Sequence, residues 1–164
     1  MLGVDPSLTS TGYALVEQTA AGSACLTHGA VRTRSSTERA ARLLAIHDAI
    51  LALIREWAPG AVAVESPFVA ENVRSAMVIG EVRAVVLLAA AVSGLPAFEY
   101  SPAEVKQVVT GYGRSDKDQV LQMVSRQVSL SEAFATSDAA DAAAVALCHL
   151  SSLARREILA RSER

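Results

Sequence analysis

The 164 residues read as one α/β domain on a mixed five-stranded sheet, three antiparallel strands and then two parallel ones, with helices on both faces. Three features predict it. Three strand-like stretches stand in a row near the start with short connections, the pattern of an antiparallel meander. Strand and helix then alternate, the pattern of parallel strands joined by crossover helices. The fourth strand, Ala61 to Glu65, is apolar up to its last residue, as a strand covered on both faces must be.

Leu2 to Asp5 is a short apolar run stopped by the turn Asp5-Pro6-Ser7. Gly12 to Val16 and Ala24 to Thr33 follow as strands two and three. Ser35 with Glu38 predicts a capping box opening a helix. Its apolar stripe is Leu43, Ile46, His47, Ile50, Leu51, Ile54 and Trp57, and Pro59-Gly60 ends it. After the fourth strand, a helix from about Asn72 to Val92 carries Ala76, Gly80 and Ala84 on one face, so another backbone can approach closely there. Gly94-Leu95-Pro96 breaks it and Ala97 to Tyr100 is the fifth strand. Pro102 opens a short helix bearing Lys106, and 110–114 reads as a mobile loop. Ser115 with Asp118 predicts the cap of a helix to about Val128, and Ser137 that of a last helix from Asp138 to about Arg155. The charged tail 155–164 reads as frayed helix.

The composition, 51% hydrophobic and 20% charged with 9 Gly and 5 Pro, excludes a disordered or fibrous chain. A net charge of -2 excludes a strongly basic nucleic-acid-coating protein but leaves room for a local basic groove. Cys25 and Cys148 form no close pair of the zinc or redox kind and read as buried thiols. No charged leader precedes an apolar stretch, and the run Ala84 to Val92 falls short of the roughly 20 residues of a membrane helix. The expectation is a soluble cytoplasmic domain with no membrane partner. Only two lysines occur, Lys106 and Lys117.

Four carboxylates end or open elements in this layout. Asp5 ends the first strand and Glu65 the fourth. If those strands lie side by side and parallel, the two acids share an edge at the switch point where open α/β sheets place their sites. Asp138 and Asp141, three apart, point from one face of the last helix. Should that helix start meet the same edge, four carboxylates converge. Such a cluster calls for cations, and hard oxygen ligands select Mg²⁺ or Mn²⁺. Two such ions about 3.5–4 Å apart activate water and stabilise the leaving oxygen in phosphodiester cleavage. Each acid taken alone also has a plainer reading. Asp before Pro is a common turn residue, and Asp138 suits a helix start without any function. Glu65 is hardest to explain that way, because an acid leaving a buried strand is seldom mere surface.

Leu2-Gly3-Val4-Asp5-Pro6-Ser7 with Thr11-Gly12-Tyr13, then Val64-Glu65-Ser66-Pro67-Phe68 with Asn72 and Ser75-Ala76, resembles the RuvC family of Holliday junction resolvases. Val105-Lys106-Gln107, Lys117, Val120 and Asp138-Ala139-Ala140-Asp141-Ala142 continue the pattern in the same order, so the resemblance covers about residues 2 to 150. It implies that residues 1–164 form a single RNase H-like nuclease domain. It also implies a homodimer that makes paired symmetric nicks in four-way DNA junctions during recombination and repair. The metal-binding acids fall on Asp5, Glu65, Asp138 and Asp141, holding two Mg²⁺ per active site with Mn²⁺ able to substitute.

The resemblance assigns further roles. Phe68 contacts bases near the opened junction centre, though a loop aromatic also tucks onto a core. Lys106 and Lys117 lie near the DNA backbone, Lys117 beside the scissile phosphate. Arg74 adds a phosphate contact, with Arg83 and Arg114 as further candidates. The dimer contact falls on the helix with Ala76, Gly80 and Ala84; packing on the chain's own sheet is the equal alternative. Partnership with the RuvA and RuvB branch-migration proteins is implied by the family alone.

Three positions depart from the family pattern: Ser7 where many relatives have Gly, Glu71 where some carry a basic residue, and Asp138 where some have His. His47 reads as a core histidine, His28 lies in a strand, and His149 stands two turns beyond Asp141 with a supporting role open to it. Competing readings are an RNA-cutting nuclease of the same fold, an actin-like ATP-binding lobe and an inactive junction-binding module. The Phe68 loop and the two lysines speak against the first, the chain length against the second, and the four acids against the third.

Overall fold

The computed structural model describes residues 1–66 and 73–162. Its strands are β1 (Leu2–Asp5), β2 (Ser10–Thr19), β3 (Gly22–Arg32), β4 (Val62–Glu65), β5 (Ala97–Tyr100) and β6 (Val128–Ser129). Its helices are α1 (Arg39–Trp57), α2 (Val73–Val92), α3 (Pro102–Thr110), α4 (Lys117–Gln127) and α5 (Ser137–Ser162). The strands form one sheet in the order β5-β4-β1-β2-β3-β6. β1, β2 and β3 meander antiparallel, β4 runs parallel to β1, and β5 parallel to β4. Val4 pairs with Val64, so Asp5 and Glu65 leave the sheet side by side.

Helices cover both faces. On one, Leu2, Val4, Leu15, Val62 and Val64 pack against Ile46, Ile50 and Ile54 of α1 and Val82, Val86, Ala89 and Ala90 of α2. On the other, Ala14, Val16 and Ala63 meet α3, α4 and the alanine-rich middle of α5. Side-chain size separates the faces. An alanine helix buries little apolar area per residue, so it gains contact only by lying close. Small strand residues permit that. A Cβ on Gly3 would stand 2.1 Å from the Ala142 carbonyl oxygen, and one on Gly12 would stand 2.0 Å from that of Asp138. This close approach brings the start of α5 to the strand end that carries Asp5.

Gly12→Ala tests the packing directly. The added methyl meets backbone, not a yielding side chain, so α5 must move. Overpacking of this kind costs roughly 1–3 kcal/mol or more, and here it shifts Asp138 and Asp141 as well. The expected result is a lower urea midpoint together with weaker function of whatever site Asp138 and Asp141 help to build.

Several details differ from the sequence reading. The sheet has six strands, because two residues after α4 pair with Ser23 and Ala24; a strand so short leaves no alternation to read. The Ser35/Glu38 box does not form. A backbone bond from Thr37 N–H to the Arg34 carbonyl (3.0 Å) makes a turn there, and α1 starts at Arg39 without a side-chain cap. α4 is capped one residue later than expected, by Asp116 with Gln119. At α5, the Thr136 hydroxyl, not Ser137, accepts from Ala139 N–H at 3.2 Å.

The tail read as fraying is helical to Ser162. α2 is long and apolar enough to span a bilayer, its most apolar 18 residues having a mean hydropathy of 1.9. The fold instead packs it on α1 and the sheet, and Arg39 pairs with its Glu81 at 2.6 Å.

Candidate active site

Asp5, Glu65 and Asp141 face one cavity of about 230 Å³, whose wall is completed by Lys106, Lys117, Pro102, Val105, Val120 and Ala144. Each side chain has a local reason to be there. The parallel register puts the acids of β1 and β4 at one strand edge. Close packing on Gly3 and Gly12 adds Asp141 from α5. α3 is started by a Ser101–Glu104 capping box with Pro102 at its first turn, which sets Lys106 one turn on. Lys117 is the first residue of α4, fixed by the Asp116 cap.

The carboxylates are poorly compensated. Burial pushes Asp5 up to about 7, and the charges of Asp141 and Asp138 add to the rise. Glu65 is likewise raised to about 7, by burial first and then by Asp5 and Asp141. Asp141 is raised by burial, with Lys117 opposing. Lys117 Nζ lies 3.8 Å from Asp141 Oδ2 but its side chain is 81% exposed, too solvated a contact to neutralise the cluster. Hard oxygen donors crowded together at this charge suit a divalent cation. The acids surround the cavity and do not converge on a point: among the described residues no three of them close into a ready-made ligand set.

Asp138 is the member set apart. It is absent from the cavity wall, accepts a 2.5 Å hydrogen bond from the Ser10 hydroxyl, and stands near enough for its charge to raise Asp5 and Asp141. Ser10 is the residue that sequence reasoning missed; the polar run Thr9-Ser10-Thr11 ahead of an apolar strand was the available signal. Arg74 is exposed in the first turn of α2, away from the cavity wall. Arg83 is engaged by Glu99, and Arg114 is exposed in the α3–α4 loop.

That loop, expected to be mobile, is laced by Thr110 Oγ1 to Ser115 Oγ (2.6 Å), Gln107 Nε2 to the Gly111 carbonyl (2.8 Å) and Gly113 N–H to Gln107 Oε1 (3.1 Å). Phe68, Glu71 and Asn72 lie outside the described residues. Ser7 does not need glycine, since Ala58 is the one non-glycine with positive φ among the described residues.

The histidines stay out of the site. His149 is buried with Nδ1 2.7 Å from the Tyr100 hydroxyl and its ring 4.2 Å from that of Phe98, so it holds β5 to α5. His47, half-buried, lies 3.1 Å from Asp48, and His28 packs on Phe134. Cys25 and Cys148 are buried, their thiols pushed up to about 11 mainly by desolvation.

Comparison with known proteins gives one answer. The family model described as crossover junction endodeoxyribonuclease RuvC matches residues 1–149. The protein of that name from Trichlorobacter lovleyi is 45% identical over 152 residues, 93% of this chain and 85% of that one. The Heliobacterium modesticaldum protein is 45% identical over 153 residues, covering 93% of this chain and 94% of that one. Among solved structures, T. thermophilus RuvC in complex with Holliday junction substrate superposes with a TM-score of 0.83 at 34% identity, covering 91% of each chain. The yeast mitochondrial Holliday junction resolvase, at 11% identity, TM-score 0.67 and coverage of 90% of this chain and 77% of that one, shares the fold alone. With a matching sheet, the acids of β1, β4 and α5 in order and both lysines on the cavity wall, the chain belongs to the RuvC family of crossover junction endodeoxyribonucleases.

Proposed function

We propose that the cavity hydrolyses phosphodiesters of four-way DNA junctions, and that two copies of the chain make paired symmetric nicks. The observation that carries the reading is the set of raised carboxylates Asp5, Glu65 and Asp141 facing Lys106 and Lys117 across one cavity. Asp5, Glu65 and Asp141, with Asp138 behind them, are the residues that would hold two Mg²⁺, Mn²⁺ substituting. When bound, such ions lower the pKa of water and offset charge on the leaving oxygen. The chain's own part is positional. Buried acids fix where positive charge can sit, and the apolar wall of Pro102, Val105 and Val120 limits water. Lys117 orients the scissile phosphate, while Lys106, Arg74 and Phe68 engage the junction. Attack by water with loss of the 3′ oxygen leaves a 5′-phosphate and a 3′-hydroxyl.

The homodimer has its own support. α2 turns Val73 (65% exposed), Met77 (64%), Leu88 (55%) and Val92 (66%) to solvent, at intervals of four, eleven and four, about one, three and one helical turns, and hence along one face. Ala84 is exposed on the same helix, and a Cβ on Gly80 would meet nothing within 4 Å. This small-residue face is therefore not spent on the chain's own sheet, and two opposed nicks require a two-fold pair of sites. Met77→Asp is expected to yield monomer in sedimentation and to replace paired nicks by slow single ones. Action beside RuvA and RuvB in the cytoplasm completes the proposal.

Mapping the cut strands of a mobile junction tests it. Symmetrically placed nicks that ligase reseals without further processing support the reading. Asymmetric cuts, or ends that ligase rejects, exclude the proposed chemistry.

A further inference from the structure

We propose that Ser10 is a positioning residue for the metal site, its hydroxyl fixing the rotation of the Asp138 carboxylate. The inference rests on Asp138 serving as a ligand. Ser10 and Gly12 lie two apart on β2, so they face the same side, and Gly12 is the point where β2 touches the backbone of Asp138. That contact leaves Ser10 facing the start of α5, where its Oγ donates to Asp138 Oδ2 at 2.5 Å. Among the described residues this is the one hydrogen bond to that carboxylate.

Ser10 is itself held from behind. Its strand position pairs with Arg32. The turn before it is tied by Thr33 N–H to the Thr9 carbonyl (3.1 Å) and by the Thr33 hydroxyl to the Leu8 carbonyl (2.5 Å). Arg42 of α1 donates to Thr33 Oγ1 (2.8 Å) and to the Leu8 carbonyl (3.2 Å), and Thr11 Oγ1 donates to the Ser7 carbonyl (2.5 Å). The donor thus stands on ordered backbone. A carboxylate with one oxygen held in this way keeps one ligand atom in a set orientation and has less rotational freedom to lose when a cation arrives. Hydrogen bonds of this class behind metal ligands typically change metal affinity or activity by roughly 10–100-fold.

Calorimetric titration of the full chain with Mn²⁺ tests the assignment, with melting curves run alongside. Ser10→Ala is expected to bind Mn²⁺ roughly 10–100-fold more weakly at a nearly unchanged melting temperature, and Ser10→Thr, which keeps the hydroxyl, to bind as the parent does. In an Asp138→Asn background Ser10→Ala should change nothing further. If Asp138→Asn weakens Mn²⁺ binding while Ser10→Ala does not, Ser10 has no positioning role and Asp138 keeps its own. If Asp138→Asn leaves Mn²⁺ binding unaltered, both assignments fall. Additive losses in the double variant would make Ser10 a general structural residue and overturn the inference.

Discussion

Asp5→Asn is expected to abolish junction cleavage and at the same time to raise the melting temperature of the metal-free protein. Asp5 sits where three influences meet. It is the last residue of the central strand, burial raises it to about 7, and Asp141 and Asp138 add to the rise. Ionised at alkaline pH, it therefore opposes folding in the absence of metal, and moving its ordinary value of 3.8 to about 7 corresponds to roughly a few kcal/mol. Asparagine keeps the shape and removes the charge. It also removes a hard ligand. Loss of several kcal/mol of transition-state stabilisation, at about 1.4 kcal/mol per tenfold in rate, gives a fall of roughly a thousandfold or more. Single-turnover cleavage in Mg²⁺ and thermal melting in EDTA at pH 8 read the two effects. A variant that loses activity and also melts lower would show that Asp5 supports the fold, and would remove the electrostatic argument.

Raising the pH should destabilise the metal-free protein, and divalent ions should reverse the loss. Asp5 and Glu65 bind protons more tightly folded than unfolded, since their ordinary values of 3.8 and 4.5 rise to about 7. The folded state thus carries more protons in that interval, and stability falls as pH rises through it. Below both ordinary values the effect vanishes, and above about 7 it is complete. The size is roughly a few kcal/mol over the window. Metal binding displaces the same protons, so Mn²⁺ affinity should climb across the window and level off above it. Urea unfolding at pH 5 and pH 8, with and without Mn²⁺, measures this, and the Asp5→Asn/Glu65→Gln double variant should flatten the slope. A metal-free protein equally stable at both pH values would contradict the crowding of these acids.

The site was more legible in the sequence than the element ends were. Asp5, Glu65 and Asp141 could be placed because short apolar runs that end in an acid and an i, i+3 pair are local patterns, and parallel pairing of the first and fourth strands brings them together. The order of motifs then singled out Lys106 and Lys117, which charge alone would not have distinguished. Cap positions were less readable. Ser35, Ser115 and Ser137 each lie within a few residues of a helix start, yet backbone turns and neighbouring Asp116 and Thr136 decide where the helix begins. β6 exists through pairing with a distant strand and has no pattern of its own. The bond from Ser10 to Asp138 spans 128 positions, and it became visible only once Gly12 was seen to lie against α5.

One comparison bears on the whole reading: a mobile four-way junction, a linear duplex and a structured RNA are incubated with the chain in Mg²⁺, Mn²⁺ or EDTA, beside Glu65→Gln. Metal-dependent nicking confined to the junction, absent in EDTA and in the variant, is the result the buried carboxylate site predicts. Cleavage that persists in EDTA or in Glu65→Gln, or RNA cut in preference to the junction, would contradict it.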